Sequence, residues 1–394
     1  MKKKLRLIAL VLSISLICCC CNNTSADEEN DPPVSNNVNT DTNEDTPNEN
    51  QSKLDVLRPI AYSNIDGLVL EPGSYISIIG RYDEGSYWEE VENGASQAIE
   101  DINDALGYKG DDKIKLNFSA PDICDDVDEQ INILDEELAR YPVAICISAI
   151  DTTACAVQFD LAAENSIPII TFDSGSDYQN ITAHISTNNK EAAQTAAAEL
   201  AALTGGTGEV AVFVQDSLSM TAKDRKQAFI DKLAKDFPDI SVVNIYHLDE
   251  LEDMAKQIAE EQNADITNEE EKIDPATFTQ EDVIKYILEK NPNLNAVYAT
   301  NQDTTQLVAN ALASLEKDDL YFVGFDGGEE QLELLEDEEV DGLIVQNPYG
   351  MGYATVIAAA RTVLDLGNEA VIDSGYTWVT KETMGDAEIK KMLY

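Results

Sequence analysis

An alternation of short β-branched runs with amphipathic helical segments is the feature that most restricts the fold of this chain. Apolar residues recur at helical spacing between the runs. Strands are predicted over 75–79, 113–118, 143–148, 169–172, 209–214, 242–246, 296–299, 321–325 and 342–346, and helices over 87–106, 125–140, 152–165, 192–203, 222–237, 280–289 and 304–315. This order predicts parallel sheets covered by helices on both faces. A second set begins near Asn188, so two α/β domains are expected.

The first 21 residues predict an export signal. A basic head over 2–6 precedes an apolar run over 7–17, too short to span a bilayer, and four cysteines follow at 18–21. This order resembles bacterial lipoprotein signals, in which a Leu-x-small-Cys box is cleaved just before the cysteine that carries the lipid. The best match, over 16–19, implies lipid on Cys19, with the register open by one or two residues. A plain anchor helix and a discarded signal peptide are the alternatives.

The residues after the cysteines predict a disordered acidic tether, placed at 22–55. Between 22 and 51 there is no aromatic residue, and the only aliphatic residues beyond alanine are Val34 and Val38. Such a composition cannot bury enough apolar surface to offset the entropy of ordering. A tether of this kind would hold a domain away from a membrane surface.

The charge of the chain excludes some partners. The formal net charge is -49, which argues against nucleic acid because phosphate contacts need Lys and Arg. Cys124, Cys146 and Cys155 show no metal-ligand spacing and are expected to be small buried hydrophobes.

Two further stretches have structural interpretations. The polar, acidic stretch 250–279 is interpreted as a surface insertion between two helices, with a partner-docking role as the alternative. Gly205 and Gly206 follow a helix and precede a strand, which favours a helix C-cap over a phosphate loop.

Polar motifs follow the predicted strands, where open α/β sheets bind their ligands. They occupy 80–88, 91–95, 148–154, 167–177, 221–229, 298–301, 323–327 and 345–352. In this order and spacing they resemble the sugar-binding branch of the type I periplasmic binding proteins, which includes ribose-binding protein. Effector domains of lactose-repressor-type regulators share that fold. The resemblance runs from about 75 to 352.

The family fold implies an α/β protein of two Rossmann-like lobes with parallel sheets, joined by a three-crossing hinge and closing on a ligand between them. One lobe is expected at 56–187 with 347–375, and the other at 188–346 with 376–394. The hinges are expected near 185–188, 346–347 and 374–378.

The resemblance also implies a ligand set that suits a sugar. Sugar hydroxyls bind fixed acceptors and planar forked donors, and C–H faces pack on aromatic rings. The matching positions are an aromatic pair, two carboxylates, a guanidinium and two amides, namely Tyr87, Trp88, Asp173, Asp326, Arg225, Asn301 and Gln346.

Each matching residue also has a purely structural interpretation. The alternatives are packing for Trp88, capping or turn formation for Asp173, Asp326 and Asn301, an ion pair with Asp224 or another surface acid for Arg225, and a hinge role for Gln346. Asp151 is interpreted as a helix cap rather than a ligand contact.

The chain departs from the family pattern at two positions. Ser174 stands where the family often has arginine after the first carboxylate, and Gly85 stands where ribose binders carry asparagine. Tyr82 or Asp83 could supply the missing polar contacts. The departures put ribose itself in doubt more than a sugar or polyol in general.

The expected function is a monomeric, lipid-anchored solute-binding protein on the extracellular face of the cell membrane. It would deliver a sugar or sugar-like ligand to an ABC importer, without cofactor or metal. A receptor of the same fold that signals to a membrane histidine kinase or chemoreceptor remains the alternative. A secreted enzyme is disfavoured, because His184 and His247 are the only histidines and no nucleophile or zinc motif occurs. The carboxylates Asp173 and Asp326 alone would suit glycoside cleavage.

Overall fold

The computed structural model describes residues 50–264 and 266–394. The expected signal, Cys19 and the tether as far as residue 49 lie outside the described residues. The tether prediction is wrong for its last part, because Gln51–Asp55 form helix α1. Leu54 of this helix is buried in the core, and the amide of Asn347 donates to the Lys53 carbonyl at 2.7 Å. One buried apolar side chain and one partly buried hydrogen bond thus fix a stretch whose composition predicts disorder.

The described residues after α1 form twelve strands and eleven further α-helices. The strands are β1 (Tyr75–Ile79), β2 (Lys115–Ser119), β3 (Ala144–Ile147), β4 (Ile169–Phe172), β5 (His184–Ser186), β6 (Gly208–Val214), β7 (Ile240–His247), β8 (Leu294–Ala299), β9 (Tyr321–Phe325), β10 (Gly342–Gln346), β11 (Val371–Asp373) and β12 (Tyr376–Val379). The helices are α2 (Ser86–Leu106), α3 (Val127–Ala139), α4 (Ala156–Glu164), α5 (Asn189–Thr204), α6 (Met220–Asp236), α7 (Leu251–Asn263), α8 (Gln280–Lys290), α9 (Gln302–Ser314), α10 (Glu329–Glu336), α11 (Pro348–Val363) and α12 (Ala387–Lys390).

The strands form two six-stranded sheets of matching order. One sheet runs β2-β1-β3-β4-β5-β11 and is parallel throughout. The other runs β7-β6-β8-β9-β10-β12 and is parallel except for β12, which pairs antiparallel with β10. Strands β3, β4 and β10 are buried along their whole length, as sheets covered on both faces require. The predicted fold class, two Rossmann-like α/β lobes, is confirmed. Lobe 1 below means the lobe of the first sheet, and lobe 2 that of the second.

The chain passes between the sheets three times. It leaves β5 of lobe 1 for α5, returns from β10 of lobe 2 to α11, and leaves β11 of lobe 1 for β12. The connecting residues are 187–188, 347 and 374–375. Thr187, Asn347 and Ser374 are buried there, and the Asn347 amide donates to the Ser374 carbonyl at 2.8 Å, so two crossings are tied to each other.

Helices α2 and α11 of lobe 1 pack in unusually close contact. A Cβ added at Gly94 of α2 would lie 1.9 Å from the Tyr349 carbonyl oxygen, and one at Gly352 of α11 would lie 1.9 Å from that of Val91. Only glycine fits at these two points. The close packing brings the N-terminal ends of both helices to the carboxyl edge of the sheet.

Three smaller sequence expectations can be compared with the structure. Gly205 is the left-handed C-cap of α5, with φ of 71°. The acidic stretch holds α7 and two short 3-10 helices, Glu269–Glu271 and Pro275–Thr277, ahead of α8. Cys146 and Cys155 are buried, but the expectation is wrong for Cys124, which is exposed on the loop between β2 and α3. All three cysteines are free thiols.

Candidate functional site

A cleft at the carboxyl ends of both sheets brings the seven predicted ligand residues together. The cleft encloses about 100 Å³. One water needs roughly 10–15 Å³, so the cleft has room for several polar groups of a ligand. Its lining also includes residues without a predicted ligand role, namely Arg81, Tyr82, Glu84, Gly85, Cys124, Asp125, Gln215, Gln302 and Asp303. Tyr82, considered as a substitute contact, therefore lines the cleft, whereas Asp83 is absent from this lining.

Lobe 1 contributes a carboxylate held by hydroxyl groups. Asp173 follows β4, and its two oxygens accept from the Tyr87 hydroxyl at 3.0 Å and the Ser148 hydroxyl at 2.9 Å. Burial and the Asp173 carboxylate raise the pKa of Tyr87 well above its usual value, so its hydroxyl stays a donor. The Trp88 ring meets the Tyr87 ring edge-on, with centroids 5.2 Å apart. Trp88 both packs on the lobe 1 core and lines the cleft.

Lobe 2 contributes a carboxylate held mainly by amides. Asp326 follows β9, and its oxygens accept from the Gln302 backbone N–H at 2.8 Å, the Gln346 amide at 2.7 Å and the Tyr394 hydroxyl at 3.2 Å. The pKa of Asp326 is raised by burial, which outweighs the lowering effects of Arg225 and these hydrogen bonds. Asp326 does not cap α10, whose N-cap is Gly328.

Arg225 supplies a buried, planar donor on α6. Its guanidinium donates to Asn189 Oδ1 at 2.7 Å, the Thr300 carbonyl at 2.7 Å and Gln346 Oε1 at 2.9 Å, and lies 4.0 Å from the Phe325 ring centroid. These acceptors are neutral, and Asp224 pairs instead with Lys190. Arg225 therefore takes no part in a surface ion pair.

The two amides have structural as well as cleft-facing positions. Asn301 is the N-cap of α9 and accepts from the Thr304 N–H at 3.0 Å. Gln346 Oε1 accepts from the Thr187 hydroxyl at 2.8 Å, so this side chain connects Arg225, Asp326 and one interlobe crossing. Asp151 accepts from the Thr153 and Ala154 N–H groups in the turn ahead of α4, but the N-cap of that helix is Cys155, so the prediction that Asp151 caps a helix is wrong.

An ion-pair network joins the two lobes beside the cleft. Arg81, just past β1, contacts Asp125 of lobe 1 at 2.6 Å and Asp216 of lobe 2 at 2.9 Å. Asp216 also accepts from the backbone N–H and hydroxyl of Ser219. These contacts outweigh burial and lower the pKa of Asp216. The Met220 N–H adds a second link, donating to the Ser174 hydroxyl at 3.2 Å.

Sequence reasoning missed Arg81, Asp216 and Tyr394. Arg81 and Asp216 each stand two residues beyond the first strand of their lobe, a correspondence visible in the sequence once the lobes are aligned. Tyr394 meets Asp326, packs its ring 6.1 Å from that of Tyr87 and contacts the cores of both lobes. No local sequence pattern predicts a role for Tyr394, because its position depends on how the last segment of the chain folds.

The histidines do not assemble a catalytic centre. His184 in β5 contacts the Thr171 hydroxyl, and burial lowers its pKa. His247 ends β7 and contacts Lys226 and Glu250. Within residues 50–264 and 266–394 there is no group of three or more His, Cys, Asp and Glu side chains that could hold a metal ion. No helix in the same part of the chain is long and apolar enough to cross a membrane.

The sequence of this chain matches a known protein family. The periplasmic binding protein domain matches residues 76–368. The ribose import binding protein of Bacillus subtilis is 21% identical over 238 residues, covering 60% of this chain and 68% of that protein.

Solved structures agree with this match. An ABC transporter solute-binding protein from Agrobacterium vitis, bound with α-D-tagatopyranose, superposes with a TM-score of 0.67 at 24% identity, covering 82% of this chain and 99% of that one. A carbohydrate transporter solute-binding protein from Agrobacterium radiobacter, in complex with D-arabinose, gives a TM-score of 0.66 at 27% identity and the same coverage. Because the family match spans most of the chain and the two-lobed fold agrees, this chain belongs to the periplasmic binding proteins of type I.

Proposed function

We propose that this chain captures a sugar or sugar-like ligand between its lobes and delivers it to an ABC importer. The observation that carries the proposal is the composition of one cleft, where both lobes present carboxylates and a guanidinium, lobe 1 adds aromatic rings and lobe 2 adds amides. Hydroxyls need fixed acceptors and forked donors, and C–H faces need rings. The names of the matched relatives, which bind ribose, tagatose and arabinose, support the same class of ligand.

The proposed mechanism is capture by lobe closure. A ligand that touches Asp173 in lobe 1 and Asp326 in lobe 2 favours the closed arrangement over the open one, in proportion to its differential affinity. The contact between Arg81 and Asp216 forms only when the lobes meet, so it adds to the same preference. The closed form is the one that a permease would recognise.

Binding tests the proposed site directly. The chain from residue 50 is screened against monosaccharides and polyols by thermal shift, because a ligand that binds only the native state stabilises it. Asp173→Asn and Asp326→Asn should each lower the affinity of the best ligand about 10- to 100-fold, as expected for lost hydrogen bonds to a charged group. The matched controls are the exposed Asp177→Asn in lobe 1 and Asp319→Asn in lobe 2. Unchanged affinity in both site variants would rule out this cleft.

Importer delivery is separated from signalling by uptake of the identified ligand. A strain that lacks this chain should lose uptake of the labelled ligand at low concentration. A strain that retains uptake but loses the transcriptional or chemotactic response to the ligand would favour the sensor alternative.

We also propose that Cys19 carries the lipid that retains the chain at the extracellular face of the cell membrane. The support is the order of basic head, apolar run and cysteines in the first 21 residues. A stable anchor needs more than one acyl chain. Palmitate labelling should be lost in Cys19→Ala, with release of the protein from membranes, and not in Cys21→Ala. Retention of the label in Cys19→Ala would move the site to a neighbouring cysteine.

A further inference from the structure

We propose that the ligand of this cleft is a sugar or polyol that carries a protonated amino group, which binds beside Asp173, Tyr87 and Trp88. The inference rests on the proposed sugar-binding function and narrows it to one chemical class. It follows from the charges, the hydrogen-bond partners and the rings that line the cleft.

Carboxylates outnumber cations in the lining. The acidic residues there are Glu84, Asp125, Asp173, Asp303 and Asp326, and the basic ones are Arg81 and Arg225. Glu84 and Asp303 are exposed at the mouth, whereas Asp173 and Asp326 are buried. A cleft with this balance attracts cations and repels anions, and partial burial strengthens both effects.

The guanidinium of Arg81 is already occupied. It contacts Asp125 at 2.6 Å and Asp216 at 2.9 Å, so one positive charge faces two carboxylates of its own chain. The Asp173 carboxylate also attracts Arg81, so this single guanidinium is shared among three carboxylates and is not free to bind an anionic ligand.

Arg225 lies on the lobe 2 side of the cleft. Its guanidinium shares the Gln346 side chain with Asp326, because Gln346 accepts from Arg225 at 2.9 Å and donates to Asp326 at 2.7 Å. Asp173 has no such connection, since its contacts are the hydroxyls of Tyr87 and Ser148. Ser174, which follows Asp173, is uncharged and does not balance the carboxylate. The larger excess of carboxylates over guanidinium groups in the cleft is thus on the lobe 1 side.

Aromatic rings surround the same side and give independent support. Tyr82, Tyr87 and Trp88 all line the cleft, and the planes of Tyr87 and Trp88 stand at 85° to each other. The faces of Trp and Tyr rings attract an ammonium group. Across the cleft, Gln302 lines the wall and its Oε1 is a buried acceptor without a donor in the described part of the chain. The Gln302 acceptor calls for a donor on the ligand, and the rings offer a favourable place for an ammonium group beside Asp173.

The experiment compares matched ligands by calorimetry with the chain from residue 50. Each set consists of a hexose, its 2-amino, N-acetylamino and uronate forms, measured at pH 6.5, where the amine is largely protonated. In the set that binds best, the amino form should bind about tenfold more tightly than the hexose, equivalent to roughly 1.4 kcal/mol. The acetylated form should lose this gain, and the uronate should not bind.

Variants locate the charge. Asp173→Asn and, separately, Glu84→Gln at the exposed lobe 1 rim of the cleft should each reduce the ratio of amine to hexose affinity, while Asp177→Asn should leave it unchanged. Because Glu84 is exposed, Glu84→Gln still tests the proposal if Asp173→Asn folds poorly. Hexoses that bind as tightly as every amine, or a ratio that neither variant changes, would overturn the inference while leaving the proposed function intact. Failure of all sugars and amino sugars would overturn both.

Discussion

Asp173 of lobe 1 and Asp326 of lobe 2 occupy corresponding positions, one residue beyond the fourth strand of their sheets. Both backbones are left-handed, with φ of 51° and 73°. The Asp173 N–H donates to the Ile185 carbonyl at 2.8 Å, and the Asp326 N–H donates to that of Ile344 at 2.7 Å. Their carboxylates nevertheless meet different partners, two hydroxyls in lobe 1, and two amide N–H groups with one hydroxyl in lobe 2. The repeated backbone fixes where a carboxylate stands, and its neighbours decide how its charge is balanced.

The same correspondence becomes a contact between the lobes at the first strands. Arg81 stands two residues beyond β1 and Asp216 two residues beyond β6, and the two side chains pair at 2.9 Å. Opposite charges at corresponding positions attract each other when the lobes close. Like charges there would have opposed closure.

Helix packing differs between the lobes as well. In lobe 1, Gly94 and Gly352 let α2 and α11 meet backbone to backbone. In lobe 2, α5 packs on α6 through alanines such as Ala193 and Ala197, which are fully buried. Alanine side chains keep the second pair slightly apart, so lobe 1 should be the less tolerant of added volume.

The largest effect is expected for Gly352→Ala. Its new Cβ would lie 1.9 Å from the Val91 carbonyl oxygen, and backbone cannot move aside as a side chain can. Overpacking of this kind should cost about 3 kcal/mol or more. Urea unfolding measures the loss. Gly385→Ala, with no atom within 4 Å of its added Cβ, is the control. Equal midpoints for the two variants would show that α2 and α11 can separate without cost.

The second prediction tests the contact between lobes. Asp216→Asn removes the charge that faces Arg81, but Asp216 itself does not line the cleft. Ligand affinity should fall about tenfold, because the closed form loses part of a buried ion pair. Calorimetry with the best sugar measures the change, and the exposed Asp318→Asn of the same lobe is the control. Unaltered affinity would mean that closure does not use this pair.

The third prediction concerns pH and the buried carboxylate of lobe 2. The pKa of Asp326 is raised in the folded state, so its contribution to stability is present below the unfolded value of about 3.9 and is lost as pH rises through the folded value. In Asp326→Asn this side chain does not ionise, so this loss of stability with rising pH is absent. The unfolding free energy of the variant relative to the wild type should therefore increase from about pH 4 upward.

Urea titrations between pH 4 and pH 7 check this trend. Asp319→Asn, which changes an exposed carboxylate ahead of β9, should show no such increase. A difference that shrinks with pH would contradict the assigned direction of the pKa shift. The same Asp326→Asn protein should bind ligand more weakly than the wild type, while its relative stability rises with pH.

The main parts of the fold were predictable because they depend on local pattern. The bounds of β1, β4, β9 and β10 agree with the predicted runs, since each is a short apolar stretch next to polar residues. Strands β5, β11 and β12 were missed, because three or four residues of mixed polarity carry no period. Helix α11 was missed too, since Pro348, Gly350 and Gly352 suggest a loop and its nearly complete burial removes the amphipathic pattern.

The candidate site was predictable as far as residues follow strands. All seven residues of the predicted set line the cleft, although their contacts with a ligand stay a prediction. The partners that set their charge balance were not predictable. The Arg81 contacts with Asp125 and Asp216, and the contact of Tyr394 with Asp326, join residues 44, 135 and 68 positions apart. Residues so far apart in sequence come together only in the complete fold of both sheets.

The smallest effect separates capping from binding in the loops that follow β3 and β8. Asp151 in lobe 1 accepts from the N–H groups of a turn and Asn301 in lobe 2 caps α9, so replacing either by alanine should cost about 1 kcal/mol in unfolding free energy. Only Asn301 lines the cleft, so only Asn301→Ala should also weaken ligand binding. Calorimetry and urea unfolding of the two variants measure both quantities. Equal stability losses with unchanged affinity in both would reduce Asn301 to a cap, and lobe 2 would then bind through Asp326, Arg225 and Gln346 alone.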